Sequence, residues 1–171
     1  SDRLAEAGLE LAELSAQTRA RLGAILFAQA SLVNPVDVAG SSDANPALLA
    51  DCMSIVADDD NVDAIFLVGM YGGYALRFAE NLLGSEMRGA EDMIELARRI
   101  DKPVVVYSLY APVRPPALRR LHESGIPVYG SIEHAVCVLA ALGERGLYLQ
   151  SRDAQILDAP VESQQEMRTM F

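Results

Sequence analysis

No stretch of this chain stays apolar for the roughly 18 residues that a membrane span requires, so the sequence is expected to be soluble. The opening segment, Ser1-Asp2-Arg3-Leu4-Ala5-Glu6, is charged and lacks the apolar core of a signal peptide. Export is therefore not expected, and a cytoplasmic location is. Cysteine is scarce. Cys52 and Cys137 lie far apart, each in an apolar helical pattern, and read as two reduced core thiols. Histidine is equally scarce. His122 in "RRLHESG" and His134 in "SIEHAV" fall on helix flanks, with neither the spacing of a metal site nor a Ser or Cys at a strand end beside them. Both read as surface-helix residues, and no metal site is expected. Positive charge is in deficit: 14 Lys and Arg against 24 Asp and Glu leave a net charge of −10. That argues against nucleic acid or an acidic membrane as partner. An anionic ligand would need a local nest of backbone N–H groups or a nearby Arg. The phosphate motifs G-x-x-x-x-G-K-[ST] and G-x-G-x-x-G are both missing, so no self-contained nucleotide site of either type is expected.

What is present is a core. Of 171 residues, 51% are apolar, enough for one domain and marginal for two. Leu4, Ala7, Leu11 and Leu14 share a face and predict a helix over 3–14. Ser15 is placed to cap a second helix reaching Ile25. Asn34-Pro35 breaks the pattern, and Val36-Asp37-Val38-Ala39 reads as a short strand. Asn45, with Pro46 after it, predicts a cap and first position of a helix ending near Ala57. Val62–Val68 is apolar nearly throughout, as a parallel strand covered on both faces should be. After Gly72-Gly73 a helix is expected over 74–83, an interruption at Gly84-Ser85, and a longer helix over 87–100. Val104-Val105-Val106-Tyr107 is the third strand, followed by a loop with Pro112, Pro115 and Pro116 and a helix ended by Gly125. Ile126-Pro127-Val128-Tyr129 is the fourth, and Ser131 caps a helix over 132–142. Four strand-helix repeats with short connections predict a three-layer α/β/α, flavodoxin-like domain with a parallel sheet. The domain is expected to span 1–143, with 144–171 a linker or tail. Ile65, Leu67, Val104, Val106, Ile126 and Val128 are the expected core.

In such a sheet, ligands bind beyond the carboxyl ends of the strands. Four loops should meet there: Gly40-Ser41, Gly72-Gly73, Leu109-Tyr110-Ala111 and Gly130-Ser131. Gly72-Gly73 leads from a strand into a helix, where free N–H groups suit an anion. On local sequence alone the plain tight turn is the favoured reading. Asp58-Asp59-Asp60 reads as a solvated turn, with a cation site the alternative. Arg114, Arg119 and Arg120 could meet an anion at the third strand end, or simply decorate a helix. Tyr71, Tyr74 and Tyr110 could serve a ligand or pack against a neighbouring domain.

Four stretches in order, "NPVDVAGSSD" (34–43), "NVDAIFLVGMYGGYA" (61–75), "KPVVVYSLYA" (102–111) and "SGIPVYGSIEHAVCVLAAL" (124–142), together with "AEAGLELAELSAQTRARLGAIL" (5–26), carry a resemblance. They resemble the second flavodoxin-like ligase domain of the NDP-forming acyl-CoA synthetases. This is the acetate–CoA ligase (ADP-forming) family, related to succinyl-CoA synthetase. The resemblance covers about residues 2–143. It implies a part in the conversion of acid, CoA and NTP to acyl-CoA, NDP and phosphate through a phosphohistidine. In that family a CoA-binding domain, a phosphohistidine domain and an ATP-grasp domain share the work, and the domain resembled here closes over the phosphohistidine. The resemblance assigns Gly72, Gly73, Tyr74 and Ala75 to the phosphate, with N–H groups of Gly73, Tyr74 and Ala75 as donors. It places Asn34, Asp37, Gly40 and Ser41 beside the acyl substrate. It implies no catalytic group and no cofactor bound by this chain alone; CoA, ATP or GTP, and Mg belong to the complete enzyme. The implied partners are those sister domains, with a homo-oligomer possible. The family's Ser-His-Thr-Gly and Thr-Asn-Gly-Gly stretches are absent here. The chain therefore reads as an excised domain, silent by itself. The alternatives are a non-catalytic scaffold of the same fold that binds an acyl-CoA or a protein, and an unrelated flavodoxin-like domain such as a flavin binder.

Overall fold

In the computed structural model, residues 2–158 are described. Strands β1 (Ile65–Gly69), β2 (Val104–Ser108) and β3 (Val128–Tyr129) form a parallel sheet in the order β1-β2-β3. Ile65 lies opposite Val104, and Val106 opposite Val128. Alternate residues point to opposite faces of a strand, and the two faces meet different partners. Ile65, Leu67, Val104, Val106, Ile126 and Val128 join one apolar cluster, in which Leu67 and Val128 are half-buried and the other four buried. Its other walls are α2 (Ala16–Ile25), α3 (Leu48–Ala57), α5 (Leu83–Arg99) and α6 (Pro116–Glu123). Phe66, Val105, Tyr107 and Tyr129 face α7 (Ile132–Asp158), with Leu4 of α1 (Asp2–Glu6) alongside. The result is a three-layer, flavodoxin-like α/β fold.

The structure departs from the sequence expectation at several points, each with an identifiable cause. The helix expected over 3–14 stops at Glu6, because Gly8 takes φ +74° and turns the chain. Its apolar periodicity then serves two cores: Leu4 and Leu9 pack below the sheet and Leu14 above it. Residues 36–39 form no sheet strand. Asp37 makes an isolated antiparallel bridge to Ser31, and positive φ angles at Ala39 and Gly40 end any extension. The described sheet thus has three strands, not four. Ser15 does cap α2, its hydroxyl accepting from the Thr18 N–H at 3.2 Å. Asn45 caps nothing; α3 begins at Leu48, and the Asn45 side chain accepts from Ser85 and Arg88 instead.

The helix expected over 74–83 is a single turn, α4 (Tyr74–Arg77), because Ala79 is extended. A 3-10 turn (Glu80–Leu82) then runs directly into α5, and Gly84-Ser85 lie inside its first turn rather than interrupting it. The helix expected to end at Leu142 continues to Asp158. Of the expected tail, residues 159–171 lie outside the described residues. Among the described residues, no helix is long and apolar enough to cross a membrane.

Candidate functional site

The carboxyl ends of the strands do converge. The Ser108 hydroxyl, at the end of β2, donates to the Tyr71 carbonyl after β1 at 2.6 Å. The Leu109 N–H donates to the Gly69 carbonyl at 3.0 Å. A side chain at Gly73 would strike the ring of Tyr110, and one at Gly130 would sit 3.3 Å from Pro112. Three of the four expected loops therefore touch at one edge. The loop at 40–42 joins them through Ser42, whose hydroxyl shares a 2.7 Å hydrogen bond with that of Tyr74.

The double glycine has a packing reason. Gly72 has φ +85°, and a Cβ there would lie 2.6 Å from Leu118 Cγ and 2.9 Å from Pro115 Cγ. Gly73 lies against the Tyr110 ring. Both glycines are buried. The turn is pressed between α6 and the β2 loop at distances no side chain allows, which is the tight-turn reading left open above.

The N–H groups of the turn are engaged. Gly73 donates to the Met70 carbonyl at 2.8 Å. Tyr74 donates to Glu86 Oε1 at 2.7 Å, and Ala75 to Glu86 Oε2 at 3.3 Å. The donors expected to await a phosphate thus hold an internal carboxylate. Glu86 is 1% exposed, in the first turn of α5. Sequence reasoning missed it. The signal was a carboxylate in line with Gly89, Ala90 and Met93, on the stripe that α5 buries.

The tyrosines divide. Tyr71 and Tyr74 are buried and face inward, so neither is exposed to a ligand or a neighbouring domain. The Tyr71 hydroxyl donates to the Glu86 carbonyl at 2.5 Å, and burial, with Glu86 beside it, pushes its pKa far above the ordinary value. Burial raises that of Tyr74 as well, with the Ser42 hydrogen bond opposing. Tyr110 is half-buried and covers Gly73.

The remaining expected residues scatter. The Asn34 side-chain amide donates to the Ala12 carbonyl at 3.2 Å, beside a hollow of about 260 Å³ lined by Leu11, Leu14, Arg19 and Val33. The Asp37 carboxylate accepts from the Ala39 N–H and is exposed. Gly40 turns with φ +77°, and the buried Ser41 accepts from the Phe27 N–H at 2.9 Å. Asn34 bonds back to Ala12 and Asp37 to Ala39, away from the glycine turn, which this segment reaches through Ser42. Arg120 makes a two-point ion pair with Glu91, at 2.6 and 2.9 Å, and also bonds Ser124. Arg114 and Arg119 are exposed, as are His122 and His134. Asp59 is not a solvated turn residue. It is 4% exposed, and bonds from Thr18 and from the N–H groups of Ser15 and Asn61 hold its carboxyl well below the usual range. Cys52 is buried, its thiol pushed up to about 11 by burial, whereas Cys137 is exposed on α7 rather than in the core. Among the described residues, no group of three His, Cys, Asp or Glu could hold a metal.

The solved structure of PH0766 from Pyrococcus horikoshii OT3 is similar to this chain, with a TM-score of 0.66 and 25% identity. The match covers 82% of this chain and 31% of that one, so the similarity is to one part of a longer protein. It is consistent with a flavodoxin-like domain. No protein-family model matches the chain, and no curated protein matches it in sequence.

Proposed function

We propose that this chain is a CoA-ligase-like domain of an NDP-forming acyl-CoA synthetase, which closes over a phosphohistidine carried by a sister domain. The observation that carries the reading is the fold-level likeness over 82% of this chain to under a third of a longer protein. The motif order in 34–43, 61–75, 102–111 and 124–142 adds to it. In this reading the chain brings no catalytic group. CoA, ATP or GTP, and Mg are bound by the rest of the enzyme, whose CoA-binding, phosphohistidine and ATP-grasp domains are the partners, in the cytoplasm.

The engaged amides shape the role. Gly73, Tyr74 and Ala75 direct their N–H groups inward, so the surface offered to a partner consists of the residues outside them. These are Leu76 of α4 and Phe78 just after it, with Leu109 and Val113 after β2, each at least half exposed. Gly72-Gly73 then sets the height of that edge, and Gly40-Ser41 flanks it through Ser42. The same engaged amides favour the second reading, a non-catalytic scaffold that meets an acyl-CoA or a protein without taking part in chemistry.

The test is made on the native polypeptide, isolated from its source cell with an antibody to this chain and incubated with labelled ATP or GTP. A larger polypeptide that takes up acid-labile phosphate, and releases it on addition of CoA and an acid, is the expected result. A polypeptide that takes up no label from either nucleotide sinks the synthetase reading and leaves the scaffold.

A further inference from the structure

We propose that the hollow between the 11–14 segment and the 33–34 segment binds a small aliphatic monocarboxylate, with the Arg19 guanidinium taking the carboxylate and Leu11 and Val33 flanking the alkyl tail. The site stands apart from the glycine turn and does not rest on the synthetase reading.

Its place in the fold is fixed from two sides. The Asn61 side-chain amide donates to the Glu13 carbonyl at 2.9 Å, and the Ser15 N–H donates to Asp59 Oδ2 at 2.8 Å. Both bonds tie the first wall to the loop that enters β1, at the opposite end of that strand from Gly72-Gly73. The second wall is tied to the first by Asn34, whose amide donates to the Ala12 carbonyl at 3.2 Å. It is closed on itself by the bridge between Ser31 and Asp37. The hollow is therefore held open by contacts that need no ligand.

Three properties select the occupant. The first is an unanswered charge. The half-buried cations Lys102 and Arg120 are both satisfied: Lys102 donates to the Ala57 and Asp59 carbonyls, and Arg120 pairs with Glu91. Arg19 is half-buried as well and lines the hollow. Among the described residues, its guanidinium has neither a hydrogen bond nor an ion pair, in a chain whose net charge is −10. A planar guanidinium with its donors spare matches a carboxylate through a two-point contact. The second property is apolar walls. Leu11 and Val33 are 37% and 58% exposed, with the buried Leu14 beside them. Apolar lining with one well-placed polar group is the usual make-up of a small-molecule site. The third is size. A volume of about 260 Å³ falls below the roughly 300–1,000 Å³ of sites for drug-sized ligands, so the occupant is small. Glu13 also lines the hollow and adds a negative charge there. A doubly charged phosphate would meet that charge with Arg19 alone to offset it, whereas a single carboxylate on a short alkyl chain answers both the cation and the walls.

The experiment titrates the ¹⁵N-labelled 171-residue chain with sodium butanoate and follows the Arg19 side-chain Nε–H and the Val33 and Asn34 amide resonances. These should move together and saturate in the millimolar range or below. Butan-1-ol, with the tail and no charge, and inorganic phosphate, with charge and no tail, should each bind at least about tenfold more weakly. Arg19→Gln should weaken butanoate binding by at least about tenfold, and Val33→Ser by about threefold. Resonances that do not saturate with butanoate overturn the proposal, and so does Arg19→Gln binding it as tightly as the wild type. Phosphate binding as tightly as butanoate would make the hollow a general anion site and overturn the choice of a carboxylate. Butan-1-ol binding as tightly would remove the part given to Arg19. The comparison of butanoate with butan-1-ol is made on the wild type, so it decides even where Arg19→Gln does not fold. A failed synthetase reading leaves this result standing, and a chain that binds no butanoate leaves that reading untouched.

Discussion

The two faces of the sheet are built to different depths. Toward α3, α5 and α6, the strands meet a continuous cluster that includes Met53, Met93, Ile94, Leu118 and Leu121, each at most 5% exposed. Toward α7 the fully buried set is Val105, Ala135 and Leu139; Phe66, Tyr107 and Tyr129 are half-buried, and Val68 is 49% exposed. Apolar burial contributes in proportion to the area removed from water, so the first face carries most of the stability. The glycine turn belongs to it: Tyr71 and Tyr74 are members of its cluster, and Glu86 rises from its central helix. The lesson is that the carboxyl edge is an extension of the deep core rather than a loop laid over it.

The sharpest way to break this comparison is to fill the turn. Gly72→Val should cost about 4 kcal/mol, because a β-branched residue must take φ +85° and displace the buried Leu118 and Pro115 side chains. Urea unfolding measures it; a loss under about 1 kcal/mol would show that the turn is not part of the core. The faces themselves are compared by truncation. Ile94→Ala should destabilise by about 3–4 kcal/mol and Leu139→Ala by about 2, reflecting how far each cavity can be closed by its surroundings or by water. Equal losses would mean that α7 packs as firmly as α5.

A smaller effect comes from acid. The Asp59 carboxyl is held low in the folded chain, so its contribution is present above the unfolded pKa of about 4 and is lost as pH falls below it. The urea midpoint should drop in that range, and Asp59→Asn should flatten the drop. An unchanged acid profile in the variant would place the lost stability elsewhere. The smallest effect is expected on the outer part of α7. Tyr148 is 50% exposed and meets only the Arg145 guanidinium, 5.4 Å from its ring, among the ring contacts observed. Tyr148→Ala should change stability by less than about 0.5 kcal/mol, measured the same way.

Much of the fold was legible because its signals are local. Ile65, Val104, Val106 and Ile126 were readable as core from unbroken apolar runs, and Ser15 as a cap from its hydroxyl and position. The errors fell where a local signal had a competing tertiary use. Val36–Ala39 has strand composition, yet the chain bends at Ala39 and Gly40 and pairs with Ser31 instead. Asn45 has the chemistry of a cap, but its side chain is claimed by Ser85 and Arg88, some 40 residues away. The acidic run at 58–60 resembles a solvated turn until Thr18 and the Ser15 N–H are brought onto Asp59.

At the candidate site the division is the same. By itself the sequence determined that two glycines follow an apolar strand, that the loops after the strands belong at one edge, and that two phosphate-binding motifs are missing. Backbone freedom, apolar periodicity and missing residue types are properties of short stretches. Only the tertiary structure decided what the glycines are for. The atoms that exclude a side chain at Gly72 and Gly73 come from Leu118, Pro115 and Tyr110, and the acceptor for the Tyr74 and Ala75 N–H groups comes from Glu86. These neighbours lie 11 to 46 positions along the chain. No short-range pattern encodes them, because hydrogen-bond partners and steric limits are set by which elements pack together.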